Sequence, residues 1–147
     1  MANASYRTKQ KELVRACLQA HADAFLSVDD VCALLEATGA HIGRTTVYRA
    51  LERAAAAGEA SKVAGVEGKA ARYRAHGAEE ATGAGQLSCL ECGRVIPLDC
   101  TMLQEFAQHV ENHHGFAIDR RRTVLYGLCA ACAARRAQAP ARNGAQR

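Results

Sequence analysis

The chain has no tryptophan, only three phenylalanines and four tyrosines, and two prolines in its 147 residues. Hydrophobic residues make up 49% of it, but alanine supplies 32 of them, and a methyl group buries little apolar area. Bulky side chains are too few to fill two lobes generously. Small lobes so short of core are stabilised by a metal, a disulfide or a partner subunit. No apolar run approaches the roughly 18 residues needed to cross a bilayer, and the first fifteen residues are polar and basic, unlike a signal peptide. Membrane and secreted classes are set aside, and a cytoplasmic protein is expected.

Cysteine, by contrast, is plentiful at seven residues. An odd count in a cytosolic chain favours thiolate–metal chemistry over a disulfide framework. The net charge of +4 is modest, with 11 Lys/Arg against 8 Asp/Glu in residues 1–76, 4 against 7 in residues 77–134, and 4 against none from Arg135 onward. A basic front suits phosphate neutralisation, although a surplus of this size is also ordinary for a soluble domain.

Apolar periodicity over Lys9–Ala20, with Leu13, Val14, Cys17 and Leu18 on one side, predicts an amphipathic helix. Ser27 and Asp30 form a capping box ahead of Val31, Leu34 and Leu35, which opens a second helix ending near Gly39. A third is expected from Thr45 or Thr46, capped by a hydroxyl, to a left-handed stop at Gly58. Three helices with short connections suggest a helix-turn-helix. The segments Ser61–Val63 and Ala71–Tyr73 around Gly65 and Gly68 read as a hairpin, hence a wing. Beyond a glycine-rich stretch, strands are expected at Leu87–Cys89, Arg94–Leu98, Phe116–Ile118 and Thr123–Tyr126, with a helix on Leu103, Phe106, Ala107 and Val110 that stops at Gly115. The fold class is α+β. The expected organisation is a winged-helix domain over 1–76, a hinge or linker over 77–86, a small α+β dimerisation domain over 87–136, and a disordered tail over 137–147.

Two CxxC knuckles, Cys89-Leu90-Glu91-Cys92 and Cys129-Ala130-Ala131-Cys132, stand 36 residues apart. Each can aim two sulfurs at one point, and four thiolates complete the closed tetrahedral shell of a structural Zn²⁺, one per chain. Metal binding would then be the folding energy of the second lobe. The alternatives are two disulfides or a thioredoxin-like redox pair, which normally opens a helix, whereas Cys92 is followed by Gly93 and a strand. Cys17 and Cys32 read as small core residues. Cys100 is a filler, a ligand or a redox-sensitive thiol.

The run Gly43-Arg44-Thr45-Thr46-Val47-Tyr48-Arg49-Ala50-Leu51, the knuckle Cys89-Leu90-Glu91-Cys92-Gly93, and His114-Gly115-Phe116 followed by Leu125-Tyr126-Gly127-Leu128-Cys129 resemble the ferric uptake regulator (Fur) family of metal-dependent bacterial repressors. The likeness spans roughly residues 8–132, with the motifs in the family's order. It implies a homodimer on a palindromic double-stranded DNA operator, with a winged helix hinged to a dimerisation domain and a regulatory metal between them. It also implies DNA contacts by Tyr48 and Arg49, which suit a thymine methyl or phosphate and a guanine or phosphate respectively. Arg44, Thr45 and Thr46 sit at that helix's N-terminus, where amides favour phosphate. Arg7, Lys9 and Arg15 are either phosphate positioners or a solvated face.

The family's histidine-rich segment before the first knuckle corresponds here to Gly83-Ala84-Gly85-Gln86. Its other ligand positions fall on Phe25, Arg74 and Pro97, and those of an additional site on Gln104 and Arg121. A guanidinium repels a cation and has no lone pair to give, so metal sensing in the family's usual manner is not expected and the regulatory metal is unknown. Two readings stay open. A second metal site could use His76 with Cys100, His109, His113 or His114, which suits Zn²⁺ or Co²⁺. Otherwise no second site exists, His113 and His114 serve the helix dipole, and Arg74 pairs with an acid such as Asp99. The expected function is a transcriptional repressor and not an enzyme, with a dithiol redox protein or a zinc-lobe interaction module as competitors.

Overall fold

The structure, a computed structural model, describes residues 2–76, 85–98 and 100–139. In chain order these form α1 (Ala2–Ala20), α2 (Val28–Ala37), α3 (Arg44–Ala56), β1 (Ala60–Val63), β2 (Arg72–Ala75), β3 (Gly85–Cys89), β4 (Val95–Leu98), α4 (Thr101–His114), a short 3₁₀ turn (Arg120–Arg122), β5 (Val124–Gly127) and α5 (Ala130–Gln138). Mixed α+β architecture is as expected. The expected linker falls mostly, and the expected tail almost wholly, outside the described residues. Where the two are described, β3 already begins at Gly85 and α5 runs to Gln138.

Three helices and a hairpin make the first lobe. Val14 and Leu18 of α1, Val31 and Leu35 of α2, and Val47 and Leu51 of α3 converge at helical spacing into one buried cluster. The capping box is present: Ser27 Oγ accepts from the Asp30 amide at 3.1 Å, and the Ser27 amide donates to Asp30 Oδ2 at 2.8 Å. The start of α3 differs from expectation. Its N-cap is Gly43, which has no side-chain cap, and Thr45 and Thr46 stand exposed inside the first turn. The stop at Gly58 is left-handed, with φ +75°, and the Glu59 amide returns to the Ala54 carbonyl at 2.9 Å.

The wing strands β1 and β2 pair antiparallel, Ala60 opposite Ala75 and Val63 opposite Arg72. Tyr73 is fully buried and exchanges two 2.8 Å backbone hydrogen bonds with Leu26, stitching the wing to the α1–α2 connection. Its hydroxyl donates a short bond to Glu52, which also holds Lys62 at 2.6 Å. Burial, then the Glu52 bond, pushes the Tyr73 phenol well above its ordinary range.

In the second lobe the sheet order is β4-β3-β5. The β3–β4 pair is antiparallel around the first knuckle, whereas β3 and β5 are parallel, so the chain between them must cross over through α4. Gly85 permits this packing: a Cβ there would stand 2.8 Å from Leu103 Cδ2 of α4 and 3.2 Å from the Thr123 carbonyl. Gly115 ends α4 at φ +63°. Phe116–Ile118 is not a strand, and Phe116 is 65% exposed, with no described strand beside it. Helix α5 was not expected, although the alanine-rich stretch after Cys129 has the propensity for it.

Candidate metal centre and nucleic-acid interface

Two local structures bring four sulfurs together. Cys89 ends β3 and Cys92 lies in the turn before β4, where Gly93 takes φ +74° and its amide reaches the Cys89 carbonyl at 3.0 Å. Cys129 is the N-cap of α5 and Cys132 lies in its first turn, facing inward and fully buried. The four Sγ atoms all lie within 4.8 Å of one another. Cys92 Sγ and Cys129 Sγ are 3.8 Å apart. A disulfide requires about 2.05 Å, whereas sulfurs bound to zinc at about 2.3 Å define a tetrahedron with edges of about 3.8 Å. The donor set therefore fits a tetrahedral thiophilic cation such as Zn²⁺, with no position left for substrate.

The surroundings favour the thiolate at Cys89 and Cys129 and oppose it at Cys132. The Cys129 amide donates to Cys89 Sγ at 3.4 Å, and backbone donation from Cys129, then Cys92, lowers the Cys89 thiol to about 6. Cys129 is lowered too, chiefly by the Cys132 backbone. Arg135, one turn beyond Cys132, donates from Nη2 to its Sγ at 2.9 Å. That guanidinium pulls the Cys132 thiol down, but burial and the neighbouring sulfurs outweigh it and hold the thiol at about 12. Four thiolates side by side need a cation. Arg135 was not expected from the sequence, yet its spacing from Cys132 on an α-helix places both on one face.

The second surface is the outer side of α3. Val47, Ala50, Leu51 and Ala54 are buried, so Arg44, Thr45, Thr46, Tyr48 and Arg49 are left on the exposed side. Tyr48 is 46% exposed. Arg44 is paired with Asp29 at 2.7 Å, and Arg15 of α1 with Glu59 at 2.9 Å. Arg7 and Lys9 are exposed on α1.

Comparison with known proteins decides the family. Residues 3–126 match the model of the ferric uptake regulator family. The chain belongs to that family. It is 29% identical to the ferric uptake regulation protein of Bacillus subtilis strain 168, over 88% of this chain and 87% of that protein. With that of Cupriavidus metallidurans it shares 32% identity, over 84% and 80%. Among solved structures, FurB of M. tuberculosis, described as a zinc uptake regulator, superposes with a TM-score of 0.54 at 26% identity, covering 89% of this chain and 98% of that one. Members of the Fur family are transcription regulators rather than enzymes. No helix among the described residues is long and apolar enough to cross a membrane.

Within this Fur-family chain, two of the positions at which the resemblance implied metal ligands meet each other. Phe25 and Arg74 are both buried, and the Arg74 guanidinium lies 5.0 Å from the Phe25 ring centroid, within cation–π range. Asp99, the acid expected to pair with Arg74, lies outside the described residues, as do Gly83 and Ala84. The expectation for His76 is corrected: Nδ1 donates to the Gly58 carbonyl at 2.8 Å and Nε2 faces the Ser61 hydroxyl at 2.7 Å, which leaves no lone pair directed at a metal. Cys100 is exposed at the N-cap of α4. His109, His113 and His114 group at the other end of α4, with the His109 ring 4.5 Å from His113 and 5.9 Å from His114. The four-cysteine cluster is the one group of three or more ligating side chains gathered closely enough to hold an ion among the described residues.

Proposed function

We propose that the chain is a DNA-binding transcriptional repressor that acts as a homodimer on a palindromic operator. A structural Zn²⁺ held by Cys89, Cys92, Cys129 and Cys132 closes the second lobe, and the family's usual regulatory metal site is absent. Family membership supports the DNA-binding role. The observation that carries it is the division of α3 into a buried stripe and an exposed side bearing Tyr48 and Arg49. There Tyr48 and Arg49 read base edges, while Arg44, Thr45 and Thr46 take phosphate at the helix N-terminus. Arg7, Lys9 and Arg15 position phosphate, Arg15 by leaving Glu59.

Zinc supplies folding energy and no chemistry of its own here, because four sulfurs fill its shell. The replacement of expected ligands by Phe25, Arg74 and Pro97 supports the loss of the usual sensing site, since an aromatic ring, a guanidinium and an imide nitrogen donate nothing to a metal. The test is operator selection from a random duplex pool with the zinc-loaded protein, followed by salt titration. A palindromic site, a steep salt slope and loss of binding in Arg49→Ala are expected. If Arg49→Ala binds the selected duplex as well as wild type, α3 is not the reading element. A tenfold gain in duplex affinity on adding Fe²⁺ or Mn²⁺ would restore a sensing metal.

A further inference from the structure

A cleft of about 730 Å³ runs between the lobes, a volume within the range of about 300–1,000 Å³ that small-molecule sites occupy. The α1–α2 connection contributes Asp23, Ala24 and Phe25, the wing contributes Arg72, β4 and the residue before it contribute Arg94 to Pro97, and the cysteine cluster and α5 close the far side. Beside Cys92, Cys129 and Cys132 of the thiolate cluster, it is lined by three guanidinium groups, of Arg72, Arg94 and Arg135, and one carboxylate, Asp23. Within this lining, the guanidinium groups of Arg72 and Arg94 are the part that attracts an anion.

The three arginines are not equivalent. Arg135 is engaged with Cys132 Sγ and offsets the negative charge of the thiolates. Arg72 makes two long contacts, 3.4 Å to Asp30 and 3.5 Å to the Phe25 carbonyl, both from Nη1, so most of its five donors stay available. The Arg94 side chain makes no hydrogen bond or ion pair among the described residues. Arg72 belongs to the wing and Arg94 to the cysteine lobe. An anion received by both would tie the two lobes together. Between the charges the wall is apolar, made by Phe25, Val95, Ile96 and Pro97.

We propose that this cleft is a binding site for a small organic carboxylate, its anionic end taken by Arg72 and Arg94 and its apolar body laid on Phe25, Ile96 and Pro97. The site serves as the effector site of the regulator, a role that rests on the function proposed above, whereas the binding itself does not. A ligand contacting both lobes favours the orientation in which both arginines reach it and shifts the lobe equilibrium by its difference in affinity for the two orientations.

The experiment is calorimetric titration of the zinc-loaded full-length protein with sodium benzoate at fixed ionic strength, with benzamide and sodium phosphate as parallel probes. Benzoate should saturate at one per chain, and benzamide and phosphate should each bind about tenfold or more weakly, lacking the charge or the apolar body. Arg94→Gln should weaken benzoate about tenfold or more while leaving zinc content and thermal unfolding unchanged. Arg72→Gln should do the same for the ligand but also touches the α2 cap through Asp30. Absence of saturable benzoate binding below about 10 mM, phosphate binding as tight as benzoate, or an Arg94→Gln variant that binds as wild type overturns the site. Repeating the titration with duplex present separates the two readings. Benzoate binding without any change in duplex affinity overturns the effector role. Benzoate binding to a protein that binds no duplex at all leaves the carboxylate site standing and removes the regulator reading.

Discussion

The two lobes reach stability by different physical routes. Of the seventeen buried hydrophobic residues among the described ones, fourteen lie before His76, and the second lobe has three: Leu103 and the cysteines Cys89 and Cys132. The same lobe exposes Ile96, Met102, Phe106, Phe116, Leu125 and Tyr126, Met102 and Phe116 at 65% each. The first lobe is thus a conventional packed core, stable through area removed from water. The second has turned much of its apolar surface outward and placed ligand sulfurs where a core would be. That distribution suits the ion inside and the second copy outside that the proposed function assigns to this lobe. The contrast implies that loss of metal should unfold one half of the chain and leave the other.

The largest expected effect breaks the comparison at its metal end. Cys92→Ser, or exhaustive chelation, should abolish the fold of the second lobe and the dimer together, because zinc bound by a structural cysteine site contributes about 10–16 kcal/mol. Zinc assay, sedimentation and limited proteolysis would follow it, with residues of α1 to β2 remaining protected. A metal-free dimer that resists protease would mean the second lobe has a core of its own. Leu51→Ala should do the reverse. Leu51 is fully buried, so its truncation should destabilise the first lobe by about 2–5 kcal/mol in denaturant titration without altering zinc stoichiometry.

Leu125→Asp tests the outward face. Its side chain is 47% exposed, so the monomer should fold and bind zinc while sedimentation shows a weakened dimer. Ser27→Ala removes the cap of α2 and should cost about 1 kcal/mol, readable as a small shift in the unfolding midpoint. The smallest effect is on pH. Lys62, then Tyr73, lowers the carboxyl of Glu52. A depressed carboxyl contributes stability above its unfolded value, and that stability is lost as pH falls through the folded one. Acid below the ordinary carboxylate range should therefore loosen the wing before the helices, and Glu52→Gln should flatten that part of the profile in amide exchange.

Much of this was legible in residue order, and the misses have identifiable causes. The capping box at Ser27 and Asp30, the stop at Gly58 and the inward stripe of α3 are local signals, set by steric and hydrogen-bonding rules that act within one turn. The CxxC pairs were legible because four thiols at such spacings have few other uses. The N-cap of α3 was misplaced because a hydroxyl outranks glycine in propensity, yet here the chain enters the helix at Gly43. Phe116–Ile118 alternates like a strand but is left without a partner among the described residues. His76 looked like a hinge ligand until Gly58 and Ser61, brought near by the turn after α3 and by β1, took both its nitrogens.

The sequence by itself determined the three-helix frame, the wing, the two knuckles and the family, since each rests on spacing along the chain. Only the tertiary structure decided that the four sulfurs gather within 4.8 Å of one another, that Arg135 covers one of them, that Arg74 lies against the Phe25 ring, and that Arg72 and Arg94 from different lobes open onto one cleft. Those are encounters between residues far apart in the chain. Their distances follow from how helices and sheet pack in three dimensions, and no local pattern of side chains encodes them.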